Sequence, residues 1–133
     1  MKYIIKDALA RIQMIEQEQL PVRVFLRKYA ALFMDVDRHS LIPPECRIHD
    51  QFSESAYVFV IGSYLYQRLE HQPVTWFERR RFAAFTRYDF LFRCTLCSNP
   101  HRRFQHICEL KQYLTGMMKN ENTAHERHND SSE

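Results

Sequence analysis

The sequence predicts an all-α chain of about five helices with a small zinc-knuckle-like segment near its C-terminal end. Three observations predict it. Apolar residues recur at i, i+3, i+4 and i+7 along most of the chain, the spacing of a buried helix face. Only two glycines occur, Gly62 and Gly116, which argues against a turn-rich β-sandwich or barrel. No run alternates convincingly with period two, and Tyr57–Ile61 is the one short stretch that imitates a strand. Ten Phe, seven Tyr and one Trp in 133 residues supply one core and exclude a chain disordered throughout. Residues 1–118 therefore read as a single helical domain, and 119–133, polar and without a large apolar residue, as a disordered tail.

The elements follow in order. A first helix spans about 3–19, with Ile5, Ala8, Leu9, Ile12 and Ile15 or Glu16 on one face. Pro21 suits the first turn of a second helix, where its missing N–H costs nothing. Val22, Phe25, Leu26, Tyr29, Leu32 and Phe33 form its apolar stripe, so 3–34 is a helical hairpin turning at 18–21. Residues 35–52 read as a connector in which Pro43 and Pro44 stop any helix. Ser53, or equally Ser55, caps a third helix. That helix is apolar nearly all round, from Ala56 to Leu69, and so is central. A fourth helix runs from about Pro73 to Leu91, completing the stretch 53–92. The cysteine knuckle and a last helix from Arg103 to Met117 occupy 93–118, with Phe104, Ile107, Cys108, Leu110 or Lys111, and Leu114 inward.

The net charge is only +3, so the basic character is local rather than general. No apolar run reaches the roughly 20 residues that span a bilayer. The N-terminus carries charges too early for a secretory signal, so a cytoplasmic protein with reduced thiols and no membrane role is expected.

Cys94-Thr95-Leu96-Cys97 lets one turn offer two thiolates to one ion. Zinc takes four ligands. The run continues as C-x2-C-x3-H-x4-H-x-C, so Cys108 with His106, or with His101, is expected to complete a structural site. A thioredoxin-type role needs a βαβ setting, which is missing. Around the cysteines lie Arg79, Arg80, Arg81, Arg87, Arg93, Arg102 and Arg103: seven arginines between 79 and 103 against one acid, Asp89. Guanidinium forks match phosphate oxygens and guanine edges, so these residues are the candidate contacts to double-stranded DNA. The bland reading is a solvated face paired with acids such as Glu70 and Glu78. Catalysis has little support: Cys46 and His49 share the connector with several acids, but no nucleophile motif accompanies them, and an enzyme is not expected.

One stretch resembles a known family. Ala10-Arg11-Ile12-Gln13-Met14-Ile15-Glu16, then Gln19-Leu20, Arg23 and Leu26-Arg27-Lys28-Tyr29, resemble the opening of FlhC-type flagellar master transcriptional activator subunits. The apolar helix from Ser53 to Leu69, the stretch 75–92 and the pattern Cys94, Cys97, Pro100, Arg102 are similar to later parts of that family, so the resemblance covers about 8–110. It implies a hetero-oligomer with a small helical FlhD-type partner that binds promoter DNA and recruits RNA polymerase. The exposed sides of the first two helices, with Arg23, Arg27 and Lys28, would then face the partner. The family holds zinc with two Cys-x-x-Cys pairs, and this shorter chain has one. If Cys94 and Cys97 match the first pair, Cys108 with His106 or His101 completes the site; if the second, the first is absent. The expectation is a DNA-binding regulator with structural zinc. The alternative is a helical adaptor or antagonist whose basic face meets a protein.

Overall fold

A computed structural model describes residues 2–29, 42–70 and 88–131, with backbone alone at 27–29, 47, 70 and 121–131. The described residues are helical and contain no strand, as the periodicity predicts. The helices are α1 (Lys2–Glu18), α2 (Val22–Tyr29), α3 (Pro44–His49), α4 (Glu54–Glu70), α5 (Asp89–Thr95) and α6 (Ile107–Ser131), with a 3-10 turn at Pro100–Arg102. Among them no helix is long and apolar enough to cross a membrane.

α4 is the centre. It is buried without interruption from Ser55 to Tyr66, because its sequence offers apolar or small residues on every face. α1, α2, α5 and α6 pack around it. α1 contributes Ile5, Ala8, Ile12 and Ile15, α5 contributes Leu91 and Phe92, and α6 contributes Ile107, Leu110 and Leu114. Each of the Ile, Leu and Phe side chains among these, removed from water, contributes about 1.5–3 kcal/mol, and Ala8 less than about 1.

Polar groups at the seams are matched in pairs. The Tyr64 hydroxyl of α4 donates to Asp7 of α1, and Arg11 lies over the Tyr64 ring, 4.7 Å from its centroid. The Tyr57 hydroxyl donates to the Leu20 carbonyl (2.8 Å), fastening α4 to the turn between α1 and α2. In that turn Gln19 takes a left-handed conformation (φ 50°). Phe25 meets Tyr57 edge-on at 5.0 Å, and Tyr66 meets Phe92 in the same way at 5.0 Å.

Four expectations are corrected. The connector holds a helix, α3, because Pro44 occupies a first-turn position whose N–H has no acceptor in any helix, while Pro43 supplies the extended entry (φ −61°, ψ 150°). Asp50 then ends α3 in the left-handed region (φ 51°), which Asp tolerates. The helix ahead of the cysteines runs to Thr95 rather than Leu91, so Cys94 lies in its last turn. The last helix starts at Ile107, four residues later than Arg103, and continues through Ser131 over the stretch expected to be a disordered tail. That stretch holds neither Gly nor Pro to break it. The end of the hairpin (30–34), the connector up to 41 and most of the expected fourth helix (73–87) lie outside the described residues.

Candidate nucleic-acid interface and cysteine loop

The segment from Cys94 to Phe104 is a closed loop. Leu96, 1 % exposed, anchors its start in the core. Asn99 accepts the His101 N–H at its side-chain oxygen (3.0 Å) and the Arg102 N–H at its carbonyl (3.0 Å), so one Asn shapes the 3-10 turn. The Phe104 N–H donates to the Cys94 carbonyl (2.9 Å) and closes the loop. Gln105 clasps it from outside, donating to the carbonyls of Pro100 (2.9 Å) and Arg103 (2.8 Å).

Arg103 clamps the loop from inside. Its side chain is 0 % exposed and that of Glu45 is 5 % exposed. The two guanidinium amino groups reach the two Glu45 oxygens at 2.5 and 2.8 Å, a bidentate fork. Nε donates to the Cys97 carbonyl (2.7 Å), and the plane lies 4.8 Å from the centroid of Phe59. One residue thus ties the loop to α3 and α4. Glu45 has no signal in the sequence beyond being an acid in a connector.

This corrects one expectation directly: Arg103 is a buried structural residue and is not available to phosphate. Arg102, its neighbour, is exposed, as is His101. The Arg93 side chain is 56 % exposed and paired with Asp89 at 2.7 Å, four residues back on α5. Arg79, Arg80, Arg81 and Arg87 lie outside the described residues. Arg23 is exposed, pairs with Asp50 at 2.6 Å and covers the Phe52 ring; the side chains of Arg27 and Lys28 are outside the described set.

The expected zinc ligands divide. Cys94 and Cys97 are both half-buried. Burial, and then the neighbouring Cys97, push the Cys94 thiol above its usual range. Burial, and then Cys94, do the same to the Tyr113 hydroxyl, whose ring also meets Phe90, one turn ahead of Cys94 on α5, at 5.5 Å. Cys108 is exposed. It precedes Tyr113 by five residues on α6, about 140° around the axis at ~100° per residue, and so faces away from the pair. His106 is turned to α4, its Nδ1 3.0 Å from Glu54. Among the described residues no three His, Cys, Asp or Glu side chains converge on one point. The two thiols fit half of what a zinc ion takes, and Cys108 and His106 do not fit as the other half.

Glu54 does other work. Its Oε1 accepts the Ile107 N–H (3.0 Å), capping α6 from across the molecule, while Glu109 accepts the N–H groups of Gln105 (3.1 Å) and His106 (3.0 Å) as the reciprocal part of a capping box. Burial raises the Glu54 carboxyl, but the His106 and Ile107 hydrogen bonds together outweigh it and hold it low. The hydrogen bond to Glu54, and then its charge, hold the His106 imidazole above its ordinary 6.5. A cation raised in this way contributes its full stability below the unfolded value and loses it as pH climbs through the folded one. The melting temperature is therefore expected to decline modestly as pH rises from below 6.5, and His106→Gln to flatten that decline. An unchanged slope in the variant would remove the pair from the account.

Cys46 is buried and donates to the Gln51 carbonyl (3.1 Å); burial, and then Glu45, push its thiol up to about 11, the opposite of what a nucleophile needs. Comparison with family models, curated proteins and solved structures returns no match for this chain.

Proposed function

We propose that this chain is a DNA-binding regulatory subunit of a helical hetero-oligomer. The observation that carries the reading is the clamped loop. A bidentate ion pair and a set of backbone hydrogen bonds hold Cys94–Phe104 in one shape, and on its outside stand His101 and Arg102, with Arg93 on the adjoining helix end. A preformed basic edge meets a phosphate backbone without the entropic cost of ordering a loop. The resemblance of the opening helices to FlhC-type subunits supports the same reading. It assigns the partner contact to the outward sides of α1 and α2, where Tyr3, Arg23 and Val24 are exposed.

The test is equilibrium binding to duplex DNA across a salt series, with the FlhD-type partner present and absent. Arg102→Ala and Arg93→Ala are each expected to weaken binding and to reduce the magnitude of the salt slope by about one. Circular dichroism checks that both stay folded. Binding that ignores salt, or that survives both substitutions at full strength, moves the basic edge to a protein partner, the adaptor reading.

A further inference from the structure

We infer that Phe90, with Tyr113 and Phe104 behind it, is a stacking platform for unpaired bases of single-stranded DNA, whose phosphates meet Arg93 and Arg102; the inference deepens the DNA-binding reading and rests on it. Phe90 is 57 % exposed. A solitary exposed ring needs no explanation. This one is not solitary. It stands 5.5 Å from Tyr113 of α6, and Tyr113 stands 6.0 Å from Phe104, so three rings form a continuous arc. Tyr113 and Phe104 are partly buried and packed against the core, so two anchored rings back the exposed one.

The charge beside the arc is mainly basic. Arg93 follows Phe90 by three residues on α5, the spacing of neighbours on one helix face. Its side chain is 56 % exposed, and its pair with Asp89 is of the exposed kind that is worth little, so a phosphate can compete for the guanidinium. Arg102 is exposed and precedes Phe104 by two residues, and the Phe104 N–H is bound to the Cys94 carbonyl (2.9 Å), one turn along α5 from Phe90. Arginines therefore stand near both ends of the arc. The acid one turn before Tyr113, Glu109, is engaged by the N–H groups of Gln105 and His106. This combination discriminates between forms of DNA. Arginine forks suffice for the phosphates of a duplex. Bases that stay paired and stacked on one another offer no face to a side chain, so a duplex leaves Phe90 without a role. An unpaired base does offer its π-face, and aromatic rings beside a cationic track are what single-strand sites of broad sequence tolerance are made of.

The full chain, reduced, is titrated against a fluorescent oligodeoxythymidylate of about 15 nucleotides and against a duplex of the same length, at one salt concentration, with anisotropy as the readout. Phe90→Ala is expected to weaken single-strand binding at least about fivefold and to leave duplex binding unchanged. Phe90→Tyr should retain the single strand, and Arg102→Ala should weaken both complexes. In a parallel experiment the strand carries 5-iododeoxyuridine and is irradiated with the unaltered chain, and the cross-link is expected on Phe90, Tyr113 or Phe104. If Phe90→Ala fails to fold by circular dichroism, that cross-link decides. Single-strand binding that Phe90→Ala leaves intact, a loss equal on both forms, cross-links only elsewhere, or duplex binding with no single-strand binding each overturns the inference and leaves the proposed function standing. Binding to neither form overturns both.

Discussion

Arg103→Ala is expected to cost about 3–5 kcal/mol of stability, the usual penalty for removing one member of a buried ion pair. The loss is large because of what stays behind. Glu45, 5 % exposed, would keep its place with no countercharge beside it, and the Cys97 carbonyl would lose its donor. A buried charge left alone is far costlier than the pair was valuable, so the pair itself need not stabilise the fold. The double variant Glu45→Leu with Arg103→Met removes both charges and is expected to recover most of the loss. Arg103→Lys is not expected to recover it, since a point charge cannot reproduce the two-pronged contact to Glu45 and the Nε bond together. Arg102→Ala is the control. It is an exposed arginine one residue away and should shift the urea midpoint by less than about 0.5 kcal/mol equivalent. Two adjacent arginines thus divide the work: one should change stability and the other, on the proposed function, DNA affinity. A small effect of Arg103→Ala on the urea midpoint would mean that the clamp does not hold the loop.

That division marks where sequence reading stops. Arg102 and Arg103 are identical in type and neighbours in a basic run, and nothing local distinguishes them. The distinction is made by Glu45, 58 residues earlier. The same holds for Glu54, which caps α6 from 53 residues away, and for Cys108. Linear spacing brings Cys108 close to the Cys94–Cys97 pair, but rotation along α6 turns it away. Residues whose role is written in short-range periodicity were legible. Ile5, Ala8, Ile12 and Ile15 form the inner face of α1 as their spacing demands, and α4 is buried from Ser55 to Tyr66 because that stretch has no charged residue on any face. Boundaries were legible only where one signal acted alone. Pro43 and Pro44 break a helix and also begin one, and the chain used the second property. The helix α5 outran its expected end because Thr95 is needed in the core, completely buried and donating to the Leu91 carbonyl (2.9 Å).

Thr95 also explains the second large effect. Gly62 sits inside α4, where a glycine costs about 1 kcal/mol relative to alanine, in a chain with only one other glycine. The cost is accepted because α5 crosses α4 at this point with no room for a methyl group. A Cβ at Gly62 would lie closer than 3.0 Å to the Thr95 Cβ and Oγ1. Neither atom can swing clear. The Cβ is fixed to the backbone, and the hydroxyl is held by Leu91. Relief would require α5 as a whole to move, disturbing the Tyr66–Phe92 contact and the cysteine loop that follows. Gly62→Ala is therefore expected to destabilise by about 3 kcal/mol, the upper end of the range for overpacked cores, despite the gain in helix propensity. The second site separates this cause from others. Thr95→Ala should fail to rescue, because its Cβ remains, whereas Thr95→Gly should restore part of the loss by reopening the crossing. Gly116→Ala should act with the opposite sign. A Cβ there meets nothing within 4 Å, so alanine is expected to stabilise α6 by about 0.5–1 kcal/mol. Urea unfolding of the two alanine variants would thus shift in opposite directions, and a shift in the same direction would refute the close crossing of α4 and α5.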